Sequence, residues 1–263
     1  MPTPKVSPII CSFGAALLLA GALALIGRSA YAQPTQPIYL QYDGFVHNKD
    51  GSYTLAFGYF NMNNVDVTVP PGDANGFTPG PADRNQPVKL VKGRHRFACS
   101  MVMDKTFDGK LQWTVKFAGK TNTTTAKVLD PLYELEHSSE EHATAGLDIG
   151  SAPKNVCVNR PPSVHVGNPF APPPAGPDGA IAGRVNQDVV LASQIEDDGL
   201  PRGGALKIGW KTISGPGDVT FADPASATTR AKFSAPGKYE IELSATDGER
   251  RTAVTVNVNV TNP

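Results

Sequence analysis

The sequence predicts an all-β protein: two β-sandwich domains in tandem, the second immunoglobulin-like, preceded by a signal peptide. Three observations carry this. Glycine (26) and proline (24) make up about a fifth of the 263 residues, against roughly 12% in an average chain, which favours turns over helices. Apolar and polar side chains alternate at period two along several runs. No segment beyond residue 32 sustains a helical period.

Residues 13–26 (FGAALLLAGALALI) form an uncharged apolar run. It is too short for a membrane span, which needs about 20 residues, and suits the core of a signal peptide. Lys5 supplies the positive start, and Ala30-Tyr31-Ala32 is a small-x-small site that places cleavage after Ala32. Cys11 precedes the apolar run, whereas a lipid-carrying cysteine follows it. The expected address is periplasmic or extracellular, with no transmembrane segment in the mature chain.

Lys+Arg and Asp+Glu are both 24, so the net charge is zero. Loss of residues 1–32 removes Lys5 and Arg28 and leaves 22 basic against 24 acidic residues. That balance argues against nucleic acid, whose phosphates call for a basic excess. Cys99 and Cys157 remain, and an oxidising compartment favours their pairing. A bridge would close a loop of about 59 residues, worth up to roughly 4 kcal/mol in the chain-entropy model. Two separate thiols are the alternative.

The mature chain divides into 33–136, a linker at 137–160, and 161–263. In the first part, SYTLAFGYF (52–60) puts Tyr53, Leu55, Phe57 and Tyr59 on one face, and LQWTVKF (111–117) does the same with Leu111, Trp113, Val115 and Phe117. RHRFACSMVM around Cys99 is a further strand-like run. Asp50-Gly51, Asp108-Gly109 and Gly119-Lys120 are turn signals. The Pro/Gly/Asn-rich stretch 69–87 reads as a long loop, functional or mobile. In the last part, strands are expected at 162–167, 187–195, 206–213, 218–222, 228–234, 238–246 and 251–260, with 168–179 as an exposed insertion. Seven short strands in about 100 residues is the count for an immunoglobulin-like sandwich.

DDGLP (197–201), WKTISGPG (210–217), FSAPGKYEIELSATDGE (233–249) and the closing VTVNVNV resemble a PKD-like domain of secreted bacterial proteins. The resemblance covers 161–263 and implies an interaction or spacer module. It also implies that Trp210 fills the core and that Tyr239 is similar to a tyrosine corner, its hydroxyl tied to nearby backbone. In place of the Trp-Asp-Phe-Gly-Asp-Gly of common PKD domains this chain has Trp-Lys-Thr-Ile-Ser-Gly. Segment 57–87 is similar to parts of uncharacterised exported bacterial proteins, a resemblance that implies no activity.

Three constellations are candidate sites. Glu196, Asp197, Asp198, Asp247 and Glu249 lie on two loops at the end of the second sandwich that receives the linker, near Asn159. Calcium takes six to eight oxygen ligands, so five carboxylates there suit a structural calcium ion that stiffens the joint. The same Asp-Gly pairs also serve as turn formers. Lys92, Arg94 and Arg96 share one strand face and suit an anionic glycan or lipid headgroup; a solvated strand edge is the plainer reading. Tyr39, Tyr42, Phe45, Phe57, Tyr59, Phe60 and Phe77 make the first domain rich in rings. Tyr53, Phe57 and Trp113 belong to its core, and Phe77, in the Gly/Pro loop, is the expected exposed ring for stacking on sugar.

Catalytic signatures are absent from the sequence. His137-Ser-Ser-Glu140-Glu141-His142 has the wrong spacing for either zinc-protease motif, and no Gly-x-Ser-x-Gly elbow or phosphate-binding glycine loop occurs. Glu134/Glu136 and Glu240/Glu242 are same-face pairs on strands, without a cleft. The expected function is non-catalytic binding, with a glycan, an envelope component or a protein as partner and no cofactor beyond structural calcium. A calcium-stabilised envelope component is the alternative, and a hydrolase of unknown type a weaker one.

Overall fold

The computed structural model describes residues 34–128, 130–135, 147, 149–167 and 180–263. The expected signal peptide (1–32), the His137–His142 stretch and the insertion 168–179 lie outside the described residues. Residues 34–263 form one compact unit.

The N-terminal sandwich follows from the alternating runs. Strands β1 (Ile38–His47), β2 (Tyr53–Asn61) and β6 (Gly93–Met103) pair antiparallel in the order β1-β2-β6. Strands β4 (Asn75–Thr78), β7 (Gln112–Phe117) and β8 (Lys120–Thr125) form a second sheet, and the short β3 (Val67–Thr68) and β5 (Lys89–Leu90) pair beside them. The apolar faces meet in one core containing Tyr42, Phe45, Leu55, Phe57, Phe77, Met101 and Trp113. Burying side chains of this size contributes about 1.5–3 kcal/mol each.

Stretch 69–87 is packed and hydrogen-bonded rather than open. It contains β4, and side-chain amides do the work of a ladder within it. Asn75 Nδ2 donates to the carbonyls of Val69 (3.1 Å) and Pro87 (2.9 Å), while its Oδ1 accepts from Trp113 Nε1 at 2.8 Å. Gln86 Nε2 donates to Asn75 O at 2.7 Å, and its Oε1 accepts from Arg84 N at 2.8 Å. Both amides are wholly buried. Phe77 is therefore a correction to the sequence reading. It pairs in register with Trp113 on β7, stacks on that ring at 5.6 Å, and is 1% exposed. The Gly/Pro context marked a loop correctly but hid a strand that buries its ring.

In the C-terminal sandwich, β9 (Ser163–Val166), β11 (Val189–Glu196), β13 (Val219–Phe221) and β14 (Thr228–Phe233) form a sheet in the order β13-β14-β11-β9. The facing sheet has the order β10-β16-β15-β12, from β10 (Ile181–Arg184), β16 (Arg251–Thr261), β15 (Gly237–Thr246) and β12 (Lys207–Ser214). All seven expected strands are present within two residues, and β10, parallel to β16, is an eighth. The strand order is immunoglobulin-like. Trp210 is buried, and the Tyr239 hydroxyl donates to Ala235 O at 2.8 Å.

Residues 149–160, expected as connecting chain, lie along β6. Cys99 and Cys157 are disulfide-bonded, with Cα atoms 4.9 Å apart. Asn155 N donates to Val102 O (2.8 Å), Val158 N to Ser100 O (2.8 Å) and Cys157 N to Arg84 O (2.7 Å).

One loop joins the two sandwiches. Leu200, between β11 and β12, is 1% exposed and sits in the core cluster of the N-terminal sandwich. Arg202 forks onto both carboxylate oxygens of Asp83 and donates from Nε to Gln86 O at 2.9 Å. Gly199 has a positive φ and packs so closely that a Cβ there would stand 3.2 Å from Pro87. Leu200→Ala should therefore destabilise the whole unit by about 2–5 kcal/mol, measured by urea unfolding; a loss under about 1 kcal/mol would mean that the loop packs only loosely. Replacing Cys99 and Cys157 together by Ser should cost about 2–4 kcal/mol.

Candidate functional site

The joint gathers the acidic loops with Asn159 and Arg160, the last residues before the C-terminal sandwich. Asp198 serves as a backbone clamp: its Oδ2 accepts from Arg160 N at 2.8 Å and its Oδ1 from Leu200 N at 2.9 Å. Asp197 Oδ2 accepts from Gly199 N at 2.9 Å. Asp247 Oδ1 accepts from Glu249 N (2.7 Å) and Arg250 N (2.6 Å), closing the β15–β16 turn. Asn159 Nδ2 donates to Glu249 Oε2 at 3.1 Å, which ties the connecting chain to that turn.

The expectation that five carboxylates converge is corrected. Among the described residues no group of three or more His, Cys, Asp or Glu side chains is placed to hold a metal ion. Asp198 spends both oxygens on backbone N–H groups. Glu196 is exposed at the end of β11, and Glu249 is exposed and held by Asn159. The turn-forming reading accounts for one oxygen of Asp197 and one of Asp247. Their other oxygens, Asp197 Oδ1 and Asp247 Oδ2, together with Asn159 Oδ1, are buried without a hydrogen-bond partner among the described residues. Asp247 is 2% exposed. Burial pushes the Asp197 carboxyl up, and the Asp247 charge pushes it further.

Burial raises two more carboxyls. Asp198 is pushed up to about 7 by burial, with Asp197 adding to the shift and the N–H groups of Arg160 and Leu200 opposing it. Asp43 is pushed up to about 6 by burial, against the N–H of Phe97 and the charge of Arg96. Its Oδ2 accepts from Phe97 N at 2.7 Å and so holds a bulge in β6, where the register slips between Phe57 and Tyr59 of β2. The guanidinium carbons of Arg96 and Arg160 lie 4.7 and 5.8 Å from the Phe97 ring centre, which anchors the connecting chain on the bulge.

That bulge breaks the basic stripe. Lys92 and Arg94 are exposed, whereas Arg96 is half-buried against Asp43 and Phe97. Among the described residues the exposed rings are Tyr39 and Phe60, not Phe77. They face each other across β1 and β2, and Phe60 is in register with Arg94 on β6. Sequence reasoning placed Asn159 at the joint but missed Leu200, and it named Tyr39 and Phe60 without singling them out as the exposed pair. For the rings the signal was available: Tyr39 and Phe60 stand in the opposite phase to the core positions of their strands.

A pocket of about 240 Å³ on the C-terminal sandwich is lined by Ser214, Lys238, Glu240, Asn257 and Asn259. The Ser214 hydroxyl bonds Glu240 at 3.1 Å, and no histidine or cysteine lines the pocket. Among the described residues no helix is long and apolar enough to cross a membrane.

No protein-family model matches the chain. Among solved structures, it is similar to the fibronectin(III)-like modules of Clostridium thermocellum CbhA at 12% identity and a TM-score of 0.26, over 86% of this chain and 95% of that one. Domains 4 and 5 of the S-layer protein SbsC match at 14% and 0.28, over 86% and 98% of the two chains. The titin Ig tandem A164-A165 matches at 9% and 0.24, over 87% and 100%. Scores of this size say nothing about function, and the immunoglobulin-like order of strands stands on the hydrogen-bond ladders themselves.

The raised carboxyls set a pH dependence. Asp43 and Asp198 titrate above the ~3.9 of unfolded aspartate, so the folded chain holds extra protons between about pH 4 and 7. Their contribution is complete below pH ~4 and is lost as pH rises through about 6 and 7. Urea midpoints should fall from pH 5 to pH 8, and less steeply in Asp198→Asn. An unchanged slope in that variant would contradict the assignment.

Proposed function

We propose that the chain is an exported, non-catalytic protein of the periplasm or cell exterior. Its C-terminal sandwich is a PKD-like spacer or interaction module. Its N-terminal sandwich makes the specific contact with a glycan, an envelope component or a protein. The observation that carries this reading is the seating of Leu200 in the N-terminal core. With the Arg202–Asp83 fork and the Cys99–Cys157 strap, it makes one stiff body from two sandwiches. Such a body holds a binding face at a fixed distance and angle from whatever its other end contacts. Export is tested by cell fractionation with N-terminal sequencing. The protein should appear outside the cytoplasm beginning at Gln33; retention in the cytoplasm with residues 1–32 intact would overturn this part of the reading.

A second reading, an envelope component stiffened by calcium, is favoured by the buried unpaired oxygens at the joint. Asn159 Oδ1, Asp197 Oδ1 and Asp247 Oδ2 are all hard oxygen donors, and a buried polar atom left unpaired costs about 1–3 kcal/mol. A Ca²⁺ ion taken up beside Asp197 and Asp247 would neutralise the two carboxylates, with water completing its shell. Calcium at about a hundred times its Kd should raise the unfolding temperature by roughly 5–10 °C over the chelated protein. The rise should vanish in Asp247→Asn. An equal unfolding temperature with calcium and with chelator would remove calcium from the account and leave the spacer reading standing.

A further inference from the structure

The outer face of the β1-β2-β6 sheet is finished differently at its two ends. Toward one end, Val46, Ala56 and Phe97 are covered by the chain's own Leu135 and Leu147 in a small second core. Toward the other, Tyr39 (49% exposed) and Phe60 (41%) stand bare in a cross-strand pair, with Arg94 next in the row. The following row holds Gln41 opposite Gly58. The space a side chain at Gly58 would need is taken by Asp43 Oδ2 and the His95 carbonyl, so only glycine fits the middle strand there. Gln41 on β1 and Arg94 on β6 then meet across it, with Arg94 Nη2 donating to Gln41 Oε1 at 2.9 Å. Met62 (44%) and Val65 (41%), just after β2, are exposed as well, so four of the nine large exposed apolar side chains among the described residues lie on β1, β2 and the turn leaving β2. Contiguous exposure of that kind marks binding surfaces, whereas single exposed apolar residues are ordinary.

We propose that this corner is a binding site for a uronate-type anionic polysaccharide, with Tyr39 and Phe60 as the stacking floor and Arg94 as the carboxylate ligand. The inference rests on the reading of the chain as a non-catalytic binding module and names its ligand class. Two exposed rings at paired positions of adjacent strands offer surface for the C–H face of a sugar to stack on, at little cost in side-chain entropy. The guanidinium of Arg94 can pair a sugar carboxylate in fork geometry, and its bond to Gln41 fixes its orientation in advance. Lys92, exposed two residues before Arg94, adds charge along the direction a polymer would run. The row itself, Tyr39, Phe60, Arg94, Gln41 and Gly58, carries no carboxylate. Asp43 on β1 is buried beside Arg96, and the exposed Asp66 next to Val65 is engaged by the Lys89 ammonium at 3.1 Å and by Lys92 N at 3.0 Å, so cations outnumber acids at the corner. A neutral glycan would use the rings but not the cations, and a lipid surface would use the cations but has no need of two rings at paired strand positions.

The test is affinity electrophoresis of the protein purified from cells expressing the full chain. Native gels would contain polygalacturonate or alginate, with dextran as the neutral control. Retardation by the uronate polymers and not by dextran is expected. It should weaken at least tenfold in Phe60→Ala and in Arg94→Ala, and fall as salt is raised. Tyr39→Ala, on the partner strand, serves the same purpose if Phe60→Ala does not fold. No retardation, retardation equal in dextran, or retardation unchanged by both variants would overturn the proposal, as would binding confined to phosphatidylglycerol vesicles. If the uronate site fails while the protein is still found outside the cytoplasm as a single folded unit, the wider reading survives without it.

Discussion

The burial of one leucine from the second sandwich inside the core of the first is the contact on which the arrangement depends. Leu200 sits on a tight loop, and a loop entering a core must satisfy its own backbone polar groups there. Asp197 and Asp198 do this, accepting from the N–H groups of Gly199 and Leu200. The second oxygen of Asp198 takes Arg160 N, so the carboxylate that shapes the wedge also fixes where the connecting chain enters. Arg160 in turn lies over Phe97, whose backbone is held by Asp43. From Leu200 to β6 the joint is a continuous chain of buried and half-buried contacts.

The receiving surface is equally constrained. Asp83, Gln86, Pro87 and Lys89 belong to a stretch with little strand pairing, yet they must hold still to receive Gly199, Leu200 and Arg202. Buried amides supply the rigidity. Asn75 and Gln86 satisfy carbonyls that a longer strand would have paired, and Arg84 donates to the carbonyls of Asn155 (3.1 Å) and Pro79 (2.9 Å). A half-satisfied network of this kind would be worse than an apolar core, so its near-completeness is what makes the loop a docking surface. The disulfide closes the same circuit by pinning the strap that carries Asn155 against β6.

Period two made most strands legible in the sequence. Tyr53, Leu55 and Phe57, and Leu111, Trp113 and Val115, name their faces directly. The strand β10 did not show because Ile181–Arg184 is four residues long, and its pairing with β16 is parallel and so not announced by a hairpin turn. Phe77 was misplaced because Pro and Gly on both sides mark the ends of a short strand as readily as they mark a loop. The joint was half legible: the loops that carry Asp197 and Asp247 do meet beside Asn159, as strand order required. The individual oxygens were not legible. Which carboxylate caps a backbone N–H and which is left unpaired is settled by loop geometry at the scale of one bond rotation. Leu200 hid in a DDGLP turn, where a lone leucine carries no period to read.

The central claim is that two sandwiches fold and hold as a single body. Hydrogen exchange followed across a urea series addresses it directly, by comparing the core amides of β2, around Leu55, with those of β15, around Leu243. These residues are fully buried in different cores. The account predicts that both sets lose protection at one common midpoint, because opening either core removes the Leu200 wedge from the other. Two separated midpoints, with one sandwich still protected after the other has opened, would show independent domains on a tether and contradict it.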